Sequence, residues 1–229
     1  LREVGVNRPT HVFIQAGVGS LAGAVVGFFT NLFPNDPPKF IVMEARAADC
    51  LYQGAVAGDG NPRIVEGDLK TIMAGLACGE PNIISWDILR NHVSAFVSCP
   101  DWVSARGMRM LGVPVKGDPT VISGESGAVG MGLLAALMET DEYKDLRDHL
   151  GLDRFSQVLM FSTEGNTDPM KFRKVLWDGA KAVKVGVGGV NGAIKHQETM
   201  NEGQDGGVSQ DEAPIWVRKV QQGCAECGK

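Results

Sequence analysis

The sequence has no excess of positive charge: 22 Lys and Arg stand against 27 Asp and Glu, a formal net charge of −5. Without a basic surface or a local Lys/Arg cluster a chain cannot neutralise a phosphate backbone, so nucleic acid is not an expected partner. Long apolar runs are missing as well. The most apolar stretches, 19–29 and 131–138, are shorter and more interrupted than the roughly 20 residues that a bilayer crossing requires, and no membrane span is expected. There is no disulfide framework: Cys50, Cys78, Cys99, Cys224 and Cys227 are odd in number and irregular in spacing. No basic start with an apolar signal core precedes them, so a reducing cytoplasm is the expected setting. An initiating Met is also absent. Residues 1–4 read as the tail of a helix, and an N-terminal portion is expected upstream.

What is present is a globular composition, 44% hydrophobic and 21% charged over 229 residues, enough for one main domain and an appendage. The pattern HVFIQ at 11–15 is a short buried strand, followed by glycines and a small-residue helix at 21–29. After the turn PNDPP, a second strand at 39–44 and a helix at 45–56 complete a βαβ unit, which implies a parallel sheet. The pattern continues with a short strand at 63–65, helices at 71–78 and 85–92, a strand at 93–98 and a helix at 101–111 with Asp101 as N-cap candidate. A second glycine-rich turn, Ser123-Gly124-Glu125-Ser126-Gly127, feeds an apolar helix at 128–138. Gly151 stops a charged helix at 141–150, a strand at 157–161 follows, and Pro169 opens a last helix. The expected fold is α/β: an open, mostly parallel sheet with helices on both faces. Its domain portion spans 1–179, and a Gly-rich and polar tail of uncertain structure, 180–229, contains a Gly-rich connector at 185–192.

Three strand-to-helix junctions end in small polar and glycine residues, where open α/β sheets bind ligands. The first is Gly17-Val18-Gly19-Ser20-Leu21. Its glycines admit backbone N–H groups to an anion, Ser20 adds a donor, and the helix dipole favours negative charge. The spacing G-x-G-x-x-x-G is not the dinucleotide fingerprint, and no Walker lysine follows. A phosphate cradle and a close helix-to-strand packing turn are both open readings of this loop taken alone.

The segments QAGVGSLAG at 15–23, GDLKTIMAGLACGE at 67–80, SGESGA at 123–128 and FSTEGNTDP at 161–169, in this order, resemble the fold type II, tryptophan-synthase-like pyridoxal-phosphate enzymes, and among them the diaminopropionate ammonia-lyase family. The resemblance covers about 1–179. It implies pyridoxal 5'-phosphate as cofactor and a small amino acid, 2,3-diaminopropionate, as substrate. The reaction is an α,β-elimination: the Cα proton is removed, the β-amine leaves, and hydrolysis gives pyruvate and ammonia. It also implies a homodimer for the intact enzyme. By the same resemblance, Gly17, Val18, Gly19, Ser20 and Leu21 hold the cofactor phosphate, and Ser162 or Thr163 faces the ring nitrogen. Glu125 either lines the ring or is a first-turn carboxylate that stabilises its helix.

In this family the Schiff-base lysine and the acid–base carboxylates lie upstream of the phosphate loop, and no lysine precedes Lys39 here. The resemblance therefore assigns no catalytic side chain to this chain and implies inactivity alone. The alternatives are a truncated or degraded-gene fragment, or a cofactor-binding module that needs a partner chain. Lys39, Lys70 and Lys116 read as surface lysines. Cys50 and Cys78 are either inert buried thiols or a redox-sensitive pair. Cys224 and Cys227 form half a zinc-ribbon spacing with His196 as an isolated candidate ligand, and no metal role is assigned. Trp86, Trp102 and Trp177 read as core or dimer packing.

Overall fold

The strand at His11–Gln15 (β1) is buried along its whole length. In the computed structural model, which describes Gly5, 8–182 and 214–220, β1 pairs in parallel with Lys39–Ala45 (β2) on one side and Val158–Met160 (β4) on the other. Val93–Cys99 (β3) continues the parallel sheet beyond β2. The order is β4-β1-β2-β3-β5, where β5 is Trp216–Lys219, antiparallel to β3 at the far edge. Of the sequence expectations, those at 1–4, the connector at 185–192, His196, Cys224 and Cys227 lie outside the described residues.

Alternation along the strands divides the core into two layers. Val12, Ile14, Phe40, Val42 and Phe96 face the helices Ser20–Leu32 (α1), Cys50–Ala57 (α2) and Ile83–His92 (α3), meeting Val26, Leu51, Trp86 and Leu89. Phe13, Ile41, Met43 and Val97 face the other way, towards Asp101–Gly112 (α4), Val129–Glu139 (α5) and Lys144–Leu150 (α6). Pro169–Leu176 (α7) packs outside α4 through Val175 and Met108, with Asp168 capping its first turn. Helices thus cover both faces, as an open parallel sheet requires. No helix among the described residues is long and apolar enough to cross a membrane.

The helices α4 and α5 touch backbone to backbone. A Cβ placed on Gly132 would fall 1.8 Å from the Val103 carbonyl oxygen, and one on Gly107 would fall 2.0 Å from that of Ala128. This close crossing sets the start of α5, and so fixes the glycine turn that precedes it.

Three local expectations are corrected. Residues 63–65 are not a strand: the Val65 N–H bonds the Gly79 carbonyl at 2.9 Å without a continuing ladder. The 71–78 stretch holds only a 3₁₀ turn, Ala74–Leu76. Its start is taken instead by Asp101, whose carboxylate accepts from the Thr71 hydroxyl at 2.6 Å and the Ile72 N–H at 3.3 Å. Asp101 is therefore the first residue of α4 and not its N-cap, which is Pro100. Among the tryptophans, Trp86 and Trp102 are core residues, whereas Trp177 is 71% exposed beneath the Arg173 guanidinium. Within the tail, Ile215 is fully buried, and the Trp216 ring lies 4.0 Å under the Arg46 guanidinium, which also donates to the Pro214 carbonyl.

Candidate functional site

The chain reverses sheet direction between β4-β1 and β1-β2, and the crevice at the carboxyl end of β1 is the topological switch point where such sheets hold ligands. A cavity of about 330 Å³ occupies that place. It is bounded by Gln15 at the end of β1, the loop from Ala16 to Leu21, the Gly75–Cys78 segment, Ser126, Thr163 and Glu164. Its volume lies in the range of small-molecule sites.

Gly19 shapes the loop. It is the N-cap of α1 at φ 94°, a conformation costly for a residue with a Cβ, and an added Cβ would sit 3.2 Å from the methyls of Leu51 and Leu89. The Ala16 N–H bonds Met43 O at 2.8 Å, and Val18 O accepts from the Asn82 N–H at 2.8 Å, so the loop is pinned at both ends. No side chain caps α1, and its first turn carries no acid. The Ser20, Leu21 and Ala22 amides accordingly have no intrahelical acceptor, the arrangement that binds an anion.

The second glycine turn closes the opposite wall. Gly124 N–H bonds Glu164 O at 3.0 Å, and a Cβ on Gly127 would lie 3.0 Å from Thr163 N, so the turn packs directly on the strand end after β4. The Ser126 amide, in the turn that precedes α5, donates to the Glu164 carboxylate. The Ser126 hydroxyl is buried without a hydrogen-bond partner. An orphaned hydroxyl in a cavity that also holds a helix N-terminus fits a ligand rich in acceptors. Glu164 is the one charged side chain among the described lining residues, and no lysine is among them.

Of the sequence-predicted site residues, Gly17, Val18, Gly19, Ser20, Leu21 and Thr163 line this cavity together. Thr163 Oγ1 accepts a 2.8 Å hydrogen bond from Gln15 Nε2. Ser162 turns away: its hydroxyl donates to Ser123 Oγ at 2.9 Å. Glu125 is 8% exposed and is not among the lining residues, while its carbonyl accepts from the Ser104 hydroxyl. Burial raises the Glu125 carboxyl above the usual range, and the neighbouring Glu164 charge acts in the same direction. Sequence reasoning did not single out Gln15 or Glu164. Both stood inside quoted motifs, and only the pairing of β1 with β4 shows that they line one cavity.

Lys39 lies at the opposite end of the sheet, where its ammonium donates to Leu150 O at 2.7 Å and caps α6. Cys50 and Cys78 are free thiols beside the loop, with Cys50 Sγ 3.6 Å from Cys78 O. Burial pushes the Cys50 thiol up, and the Glu44 carboxylate adds to it.

Comparison with known proteins places this geometry. Residues 1–147 match the family profile described as pyridoxal-phosphate dependent enzyme. Diaminopropionate ammonia-lyase from Salmonella typhimurium is 50% identical over 183 residues, 80% of this chain and 45% of that protein. The Escherichia coli enzyme of the same name is 49% identical over 185 residues, with the same coverage. The chain thus spans under half the length of these relatives. The crystal structure of the Escherichia coli enzyme in complex with D-serine superposes with a TM-score of 0.71 at 46% identity, covering 79% of this chain and 44% of that one. Maize serine racemase, at 21% identity and a TM-score of 0.58 over 77% of this chain and 50% of its own, shares the fold. Taken with the glycine loop and the parallel sheet that presents it, these matches show that the chain belongs to the pyridoxal-phosphate-dependent enzyme family.

Proposed function

We propose that this chain forms the phosphate and ring-nitrogen side of the cofactor pocket in a diaminopropionate ammonia-lyase, with elimination from 2,3-diaminopropionate to pyruvate and ammonia as the reaction of the whole enzyme. The observation that carries the reading is one cavity that joins the open amides of α1, the orphaned Ser126 hydroxyl and the Thr163 hydroxyl. The amides of Gly17 to Leu21 would hold the phosphate, with the Ser20 hydroxyl as an added donor. Thr163 would face the ring nitrogen, and the Ser162 contact to Ser123 supports choosing Thr163 over its neighbour. Glu125, buried in the turn itself, is not among the residues that line the cavity. The bound cofactor supplies an electron sink for the charge that develops when a substrate loses its Cα proton.

Among the described residues no lysine and no acid–base pair lines this half of the site, so the chain is expected to bind pyridoxal phosphate without turning over substrate. The homodimer implied by the family finds support in the exposed apolar stripe Leu21, Phe28 and Leu32 on α1, beside exposed Ile83 and Ile84 on α3. Free Cys50, Cys78 and Cys99 agree with a cytoplasmic setting. The test is to titrate the chain with pyridoxal phosphate and assay pyruvate and ammonia release from 2,3-diaminopropionate. Saturable binding with no release above that of free cofactor is expected. Failure to bind would overturn the cofactor reading, and turnover by this chain would overturn its dependence on residues from elsewhere.

A further inference from the structure

Another cavity, of about 620 Å³, lies at the amino end of β3, where the Val220 N–H bonds Ser94 O at 3.0 Å, at the opposite end of the sheet from the glycine loop. The fold assembles there what the sequence keeps apart: Arg90 from the last turn of α3, His149 from the last turn of α6, and Arg218 and Lys219 from β5. No Asp or Glu is among the described lining residues. On a chain of net charge −5 this is a local excess of positive charge in a concave site. The His149 imidazole registers it: burial, and then the charges of Lys219 and Lys39, hold it below the usual range. The two guanidinium groups reach one glycine turn. Trp86 Nε1 donates to Gly60 O at 2.9 Å and fixes that turn, in which Gly58 and Gly60 take φ 69° and 80°. A Cβ on Gly60 would fall 3.1 Å from Arg90 Nη1, and one on Gly58 would fall 3.9 Å from Arg218 Nη2. Asp87 accepts from Arg90 Nε at 3.0 Å, which leaves the Nη1–Nη2 edge of that fork uncommitted among the described residues.

We propose that this cavity is a binding site for a compact organic di- or polyanion, its charge carried on phosphate or carboxylate groups and held by the Arg90 and Arg218 forks. A guanidinium edge matches two oxygens of either group with parallel hydrogen bonds, and Lys219 adds a point charge. The volume lies in the range of small-molecule sites, and Trp86, Phe96 and Val220 supply an apolar floor for the carbon frame of such a ligand. The site shares no lining residue with the cavity at the glycine loop, so the inference does not rest on the cofactor reading.

The experiment titrates the full chain with inorganic pyrophosphate and, in a second arm, with succinate, read by the NMR shifts of the Gly58, Gly60 and Lys219 amides. Saturable shifts at these residues are expected, and the tighter arm names the anionic group. Arg90→Gln and Arg218→Gln should each weaken binding about tenfold, the low end for a hydrogen bond to a charged group. Arg218→Lys keeps the charge without the fork and should lose less than Arg218→Gln, which separates recognition from a fold defect. Lys116→Gln removes the same charge from an exposed turn outside the cavity and should change affinity less than about twofold. No saturable shift with either probe, or arginine variants that bind as well as Lys116→Gln, would overturn the proposal. Shifts confined to Gly17 to Leu21 would overturn it too, while supporting the anion reading of the glycine loop.

Discussion

Replacing Gly132 with Ala puts a methyl carbon 1.8 Å from the Val103 carbonyl oxygen and 2.7 Å from its carbon, far inside the 3.0 Å that side-chain carbons do not breach. The obstacle is backbone on both sides, so no side chain can rotate away, and α4 and α5 must part by about an ångström or more. Overpacking of this kind costs about 3 kcal/mol, and the better helix propensity of Ala returns about 1 kcal/mol. The net loss of about 2 kcal/mol corresponds to a fall of roughly 4–8 °C in Tm for a chain of this size. Gly27 is the internal control. It lies in α1 with nothing within 4 Å of an added Cβ, so Gly27→Ala gains propensity without a clash. A rise of about 1–4 °C is expected there. Both are read by far-UV circular dichroism melts. If Gly132→Ala stabilises the chain as Gly27→Ala does, the close crossing that places the second glycine turn is wrong.

Ile215→Ala is expected to cost about 2–4 kcal/mol in urea unfolding, because Ile215 is fully buried in the α4–α6 layer; a surface-like change below about 0.5 kcal/mol would detach the β5 segment from the core. Glu44 is fully buried, and burial raises its carboxyl well above the usual range although it accepts from the Leu51 and Tyr52 amides. A carboxyl raised in the folded state contributes stability that is fully present below the unfolded carboxylate pKa and is lost as pH rises through the folded one. Urea midpoints should therefore fall as pH rises above the ordinary carboxylate range, with Asp49 and Glu125, also raised by burial, adding to the trend, and Glu44→Gln should flatten the slope; an unchanged slope would refute the assignment.

The parallel core was readable because strands buried on both faces leave unbroken apolar runs, as in HVFIQ and KFIVMEA, and glycines follow where the chain turns into a helix. The failures have a common cause, which is a partner distant in sequence. Residues 71–78 carry helix-forming residues, but Asp101 takes the Thr71 hydroxyl and the Ile72 amide and holds the segment open. Arg63 to Val65 alternates like a strand yet has only Gly79 to pair with, whose Cβ position is filled by the Val65 carbonyl. Ile215-Trp216-Val217 stands alone in a polar stretch of sequence, and it is β3 that supplies its ladder and Arg46 that covers Trp216. In the site, the glycine loop was local and therefore legible. Whether Ser162 or Thr163 faced the cavity depended on Ser123 and Gln15, one on each side, and no spacing along the chain encodes that choice.

The central claim is that the α1 N-terminus and its glycine loop bind the phosphate of pyridoxal phosphate. Phosphorus NMR of the cofactor titrated into the chain, repeated with Gly19→Ala, tests it most directly. The account predicts a saturable shift of the phosphate resonance. In the variant, where a Cβ must take φ 94° against Leu51 and Leu89, affinity should fall about tenfold or more. A phosphate resonance that does not move, or one that moves equally in both proteins, would contradict it.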